Sequence, residues 1–80
     1  MEKQIRKILC EILLLQEEDI VPGLKMDDVE TWDSLQHIEL VSTIEEEFSL
    51  ELTYDDIVQM TSYDGIISTL KTFMERENLK

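Results

Sequence analysis

Asp33, Ser34, Leu35, Gln36 and His37 bring a carboxylate, a hydroxyl and an imidazole together within five consecutive positions. Asp33 is a good helix N-cap, and Gln36, three positions on, completes a capping-box-like pair; a helix start is therefore predicted with Ser34 at its first position and its hydroxyl outward. A fixed, solvated hydroxyl suits a modifying enzyme. The free N–H groups and the positive end of the helix macrodipole also favour a phosphate attached there. A Ser–His hydrolase is a poorer reading, because His37 falls toward the core side of the helix and neither an orienting carboxylate nor a Gly-rich oxyanion-hole segment accompanies the pair. No residue is assigned a catalytic role. No metal site is assigned either, since neither Asp19 nor Asp27 opens a D-x-[DN]-x-[DN]-G series. Cys10 is the single cysteine, which excludes an intramolecular disulfide and a thiolate metal cluster.

The charge around these residues is one-sided. Residues 1–25 carry four basic and five acidic side chains, and residues 65–80 carry three basic and two acidic ones. Residues 26–64 hold twelve acids and no Lys or Arg, so this segment alone accounts for the net charge of −12. Such a field repels nucleic acid and anionic membrane surfaces and attracts basic patches on proteins. No apolar run approaches a membrane span and the start lacks a signal-peptide core, so a cytoplasmic setting is expected.

Four helices are predicted to position the hydroxyl, in a single domain over 1–80. Ile5, Ile8, Leu9, Ile12 and Leu13 recur at helical spacing from Glu2 to about Leu15, leaving Cys10 and Leu14 off the apolar stripe. Residues 16–33 contain Pro22-Gly23 and lack a sustained period; they read as a long loop anchored by Ile20, Leu24, Met26 and Val29. The second helix runs from about Ser34 to Phe48, with Leu40, Val41, Ile44 and Phe48 on its core face. Leu35 and Ile38 fall on the opposite side, near Glu39 and Glu46. A small apolar pair beside a modifiable hydroxyl and ringed by carboxylates reads as a docking face. Trp32, at N′, is placed to pack on His37 at N4 as a hydrophobic staple. Thr53 and Asp56 form a capping box for a short third helix ending near Met60, and Leu50-Glu51-Leu52 reads as connection. The fourth helix follows a cap at Thr61 or Ser62 and carries Tyr63, Ile66, Ile67, Leu70, Phe73 and Met74 on one stripe, with Gly65 weakening its first turn.

The run Asp33-Ser34-Leu35-Gln36-His37-Ile38-Glu39-Leu40-Val41, followed by Ile44-Glu45-Glu46-Glu47-Phe48, resembles the D-S-L-x-x-[VI]-E-L-[VI] and [LI]-E-E-E-F segment of the acyl carrier protein family. The resemblance implies an all-α four-helix bundle of acyl-carrier type, with a long loop between helices 1 and 2 and a short third helix. It implies 4′-phosphopantetheine, taken from coenzyme A and attached to Ser34 of the Asp33-Ser34-Leu35 motif by a phosphopantetheinyl transferase. The arm's thiol then holds acyl intermediates as thioesters for fatty-acid, polyketide or related biosynthesis. Leu35, Ile38, Glu39, Glu45 and Glu46 become the recognition face for synthase and acyl-transferring enzymes with basic patches, and the carrier is expected to be a monomer. Val41, Ile44, Ile57, Met60, Ile66 and Leu70 are candidates to line an acyl-chain space, with ordinary core packing the simpler reading. Thr31-Trp32 departs from the small residues, often Gly-Ala, that precede the Asp in fatty-acid-synthesis carriers, and resembles carriers of specialised pathways. The competing class is a non-covalent acidic helical adaptor, in which Ser34 is an unmodified first-turn residue.

Overall fold

The helices begin at side-chain caps or a free N-terminal turn, and the first three end where a following backbone N–H reaches a last-turn carbonyl. The computed structural model describes residues 1–78. Its helices are α1 (Glu2–Leu13), α2 (Ser34–Phe48), α3 (Tyr54–Gln59) and α4 (Tyr63–Asn78). The protein is thus an all-α bundle with a short third helix. Its core is a continuous cluster that includes Ile5, Leu9 and Leu13 of α1, Leu40 and Ile44 of α2, Ile66 and Leu70 of α4, and Met60 between α3 and α4. Each such aliphatic side chain contributes roughly 1.5–3 kcal/mol when fully buried. The core exists because the apolar stripes of three long helices converge.

α1 stops earlier than its periodicity predicts. Leu14 turns left-handed (φ 58°) and both it and Leu15 donate to the Cys10 carbonyl, while Thr31 Oγ1 donates to the Leu13 carbonyl at 2.6 Å. This closure satisfies the last turn, as C-terminal caps do. It leaves Leu14 80% exposed and returns Leu15 to the core. α2 ends the same way on Ser49 (φ 52°), with Ser49 and Leu50 both donating to the Glu45 carbonyl.

The long connection between α1 and α2 folds through two single-turn 3-10 segments, Glu17–Asp19 and Met26–Asp28. Asp19 and Asp28 accept from the backbone N–H groups of Gln16 and Lys25 at 2.9 and 3.2 Å. The four predicted anchors hold the loop down, Ile20 and Val29 buried and Leu24 and Met26 half-buried against the core. At its middle the loop clasps the α3–α4 junction: Met26 N–H donates to the Thr61 carbonyl at 2.8 Å and Tyr63 N–H to the Leu24 carbonyl at 2.9 Å. Gly23 N–H adds a bond to Asp64 Oδ2 at 3.1 Å. Near its start, Arg6 pairs with Glu17 (Nε to Oε1, 2.7 Å) and lies over the Tyr63 ring.

Leu50–Leu52 is connection, as expected, and Leu52 N–H donates to Glu45 Oε2 at 2.9 Å. α3 begins at the predicted Thr53/Asp56 capping box, with both reciprocal bonds formed. Of the two caps expected for α4, Ser62 is used, its Oγ accepting from Gly65 N–H at 2.9 Å. Gly65 is more than a weak helix former. A Cβ there would collide with the Gln59 carbonyl oxygen, so the glycine lets the end of α3 lie against the first turn of α4.

Candidate functional site

Ser34 is the first residue of α2 and is exposed. Asp33, in extended conformation, caps the helix by accepting the Gln36 N–H on Oδ1 at 2.9 Å, and the Asp33 carbonyl takes the His37 N–H at 2.8 Å. Among the described residues, the reciprocal bond expected from the Gln36 side chain is not made, so this is a simple N-cap rather than a box. A box needs the third side chain to reach back to the cap N–H, and half-buried Gln36 does not make that turn. The N–H groups of Ser34 and Leu35 are thereby left outside the helical ladder, beside the hydroxyl and at the positive end of a fifteen-residue helix. A phosphodiester at that hydroxyl meets donors and a favourable dipole, while the Asp33 carboxylate stays engaged in the cap. The site fits a phosphate-linked arm.

The segment leading into Ser34 is held on both sides. Thr31 is tied to the end of α1, and Trp32, only 2% exposed, donates its indole Nε1–H to His37 Nδ1 at 3.0 Å. The staple predicted for these residues is present, with ring centroids 6.0 Å apart, and it carries a hydrogen bond besides its packing. Because Nδ1 accepts, His37 carries its proton on Nε2, which donates to the Ile57 carbonyl of α3 at 3.1 Å. The imidazole has no free nitrogen to serve as a base for Ser34.

Around the hydroxyl the predicted face is set out on α2. Leu35 is 71% and Ile38 63% exposed, large values for apolar side chains, and Glu39 and Glu46 are also exposed. Glu45 stands apart from them: it is half-buried and one of its carboxylate oxygens is bonded to Leu52 N–H. Sequence reasoning missed Tyr54 and Val58 of α3, which are exposed as well. Their signal was present in α3's composition, since a six-residue helix cannot bury both faces.

The candidate acyl-chain lining is packed core. Val41, Ile44, Met60, Ile66 and Leu70 are buried and Ile57 is half-buried. An open cleft lies instead near the other end of α2, between Phe48 and Leu50 on one side and Phe73 and Met74 of α4 on the other. The length of α2 places it about 20 Å from Ser34.

Fold and site together define a small all-α bundle that presents a hydroxyl at a helix start. The family model described as the phosphopantetheine attachment site matches residues 3–70. An acyl carrier protein of Buchnera aphidicola subsp. Baizongia pistaciae (strain Bp) is 35% identical over 74 residues, which cover 91% of this chain and 94% of that protein. The chain belongs to the acyl carrier protein family. Its role is that of a non-catalytic carrier in acyl biosynthesis, and its prosthetic group is 4′-phosphopantetheine. Acyl carrier proteins work with synthase and transferase enzymes. No helix among the described residues is long and apolar enough to cross a membrane.

Proposed function

We propose that Ser34 is the residue that carries the 4′-phosphopantetheine arm, and that residues 1–80 act as one monomeric domain in the cytoplasm. The observation that carries this reading is the exposed Ser34 hydroxyl at the first position of α2, with the Ser34 and Leu35 N–H groups outside the helical ladder. A phosphopantetheinyl transferase supplies the chemistry: the Ser34 hydroxyl attacks the β-phosphorus of coenzyme A, a phosphodiester forms, and 3′,5′-adenosine bisphosphate leaves. Asp33 fixes the helix start and Leu35 gives the transferase an apolar contact beside the reacting oxygen. Leu35, Ile38, Glu39 and Glu46, with the remaining carboxylate oxygen of Glu45, form the docking face for synthase and acyl-transferring enzymes bearing basic patches. Exposed carboxylates of this kind favour fast, salt-sensitive encounter over tight binding, which suits a carrier that must leave each partner. Tethering then raises the local concentration of the acyl group at each active site.

Intact mass after incubation of the apo protein with coenzyme A and a broad-specificity transferase tests the assignment. Wild type is expected to gain the mass of one arm and Ser34→Ala to gain nothing. An unmodified wild type beside a loaded control carrier would favour the non-covalent acidic adaptor.

A further inference from the structure

α3 is weakly held by its own side chains. It has six residues, none of them buried, and Tyr54 and Val58 point into solvent. Yet its backbone is tied into the interior at one place, the Ile57 carbonyl, which receives the His37 Nε2 proton at 3.1 Å. The same imidazole receives the Trp32 indole proton on Nδ1 at 3.0 Å. Trp32 and His37 are both buried and bracket the Asp33 cap and Ser34 on either side. We propose that His37 is a positioning residue: the relay Trp32–His37–Ile57 locks α3 to the start of α2, so that Tyr54 and Val58 are held in register with Leu35 and Ile38 as one docking surface around Ser34. The inference rests on the assignment of Ser34 made above.

The physical argument is one of alternatives. A six-residue helix whose inward side, Asp56 and Ile57, is only half-buried has little packing to fix its orientation, because helical stability in proteins comes mostly from an amphipathic face docked on a core. The ends of α3 are tied down by the Thr53 box and by Met60. Its middle is not, apart from Ile57. Both donors of the relay are directional, and each nitrogen of the ring has a partner, so the imidazole has a single orientation that satisfies all three groups. Loss of the ring's two polar atoms leaves the buried indole N–H without a partner and removes the only side-chain bond from the core to the Ile57 carbonyl among the described residues, which then keeps the Met60 N–H alone. α3 then gains freedom to tilt, and the two halves of the apolar surface no longer hold a fixed spacing.

The test compares wild type, His37→Phe, Trp32→Phe and the double variant by segment-resolved amide exchange and by transferase kinetics with the carrier as the varied substrate. Phenylalanine keeps an aromatic ring in each place and removes the polar atoms. His37→Phe is expected to speed exchange in α3 while α1 and α4 stay protected, and to raise the KM for the carrier about two- to tenfold, the change equivalent to one net hydrogen bond, with kcat within about twofold. The double variant, which leaves no buried indole N–H orphaned, is expected to recover global stability but not α3 protection. In wild type, imidazole nitrogen shifts are expected to report the Nε2–H tautomer, a readout that holds even if a variant fails to fold. Unchanged α3 exchange, equal loosening of all helices, a loss confined to kcat, or an Nδ1–H tautomer would each overturn the proposal. Ser34→Ala serves as the loading control: wild type that loads no arm refutes the Ser34 assignment, whereas the exchange and tautomer results judge the relay regardless.

Discussion

Replacement of Asp33 separates two roles that one carboxylate plays at the start of α2. Its Oδ1 accepts the Gln36 N–H at 2.9 Å, and its charge sits at the positive end of the helix. Removing an N-cap acceptor typically costs about 1 kcal/mol, within a range of roughly 0.5–2. For 80 residues, unfolding entropies near 2.1 cal/mol/K per residue sum to about 0.17 kcal/mol/K, so Asp33→Ala is expected to lower Tm by about 6 °C. Against a total stability of roughly 4–12 kcal/mol for a chain of this length, that is a visible fraction. Asp33→Asn keeps an acceptor at the cap and loses only the charge–dipole attraction, about 0.3–1 kcal/mol, so it should fall between the alanine variant and wild type. Raising the salt should close the asparagine gap, since screening weakens charge–dipole attraction, and leave the cap deficit of alanine in place. Circular dichroism melts at low and at molar salt measure both. An alanine variant within about 1 °C of wild type, or an asparagine variant as unstable as alanine at high salt, would refute the view that the side-chain acceptor fixes where α2 begins.

Three further outcomes are expected. Charge reversal at Glu39 or Glu46 should slow arm loading at low salt and lose its effect at high salt, with helicity retained, because exposed substitutions change stability by under about 0.5 kcal/mol; equal loading rates across salt would deny the face a steering role. Gly65→Ala should destabilise by about 1–3 kcal/mol despite alanine's better helix propensity, since its Cβ meets the Gln59 carbonyl, and a stabilised variant in urea melts would contradict that contact. Burial, followed by the nearby Glu17 carboxylate, pushes the Cys10 thiol up, so the folded protein should alkylate more slowly than the urea-unfolded chain at mildly alkaline pH. The linkage has a definite sign: with the folded pKa raised, the contribution is whole below the unfolded thiol's range and is lost as pH rises through the folded value, so Cys10→Ala should flatten the alkaline limb of stability.

The long helices were legible because their apolar residues repeat over three or more turns and their caps are local. Thr53 with Asp56, and Ser34 after Asp33, announce helix starts within four residues of chain. Helix ends were less legible. α1 closes on Leu14 and α2 on Ser49, neither a glycine, and the donor that helps close α1 is Thr31, eighteen positions away. In sequence Gly65 shows only as a propensity defect, because its cause is the Gln59 carbonyl, a tertiary contact. At the site, the exposure of Leu35 and Ile38 followed from the helical wheel, whereas the engagement of Glu45 by Leu52 required knowing how the chain turns after α2. The Trp32–His37 pairing was visible as packing, but its hydrogen bonds and the reach to Ile57 depend on where α3 lies.

The clasp between Leu24–Met26 and Thr61–Tyr63 brings together segments separated by about 35 residues of chain. Joining them carries a closure entropy of about 3 kcal/mol by the logarithmic rule, before any contact repays it. That cost predicts that order at this seam arrives late in folding, with its interactions largely missing from the rate-limiting ensemble. Weakening them shortens the lifetime of the native state and leaves the refolding rate almost untouched. Persistence under stress is then expected to depend more on this backbone seam than on the charged helix proposed to meet partners.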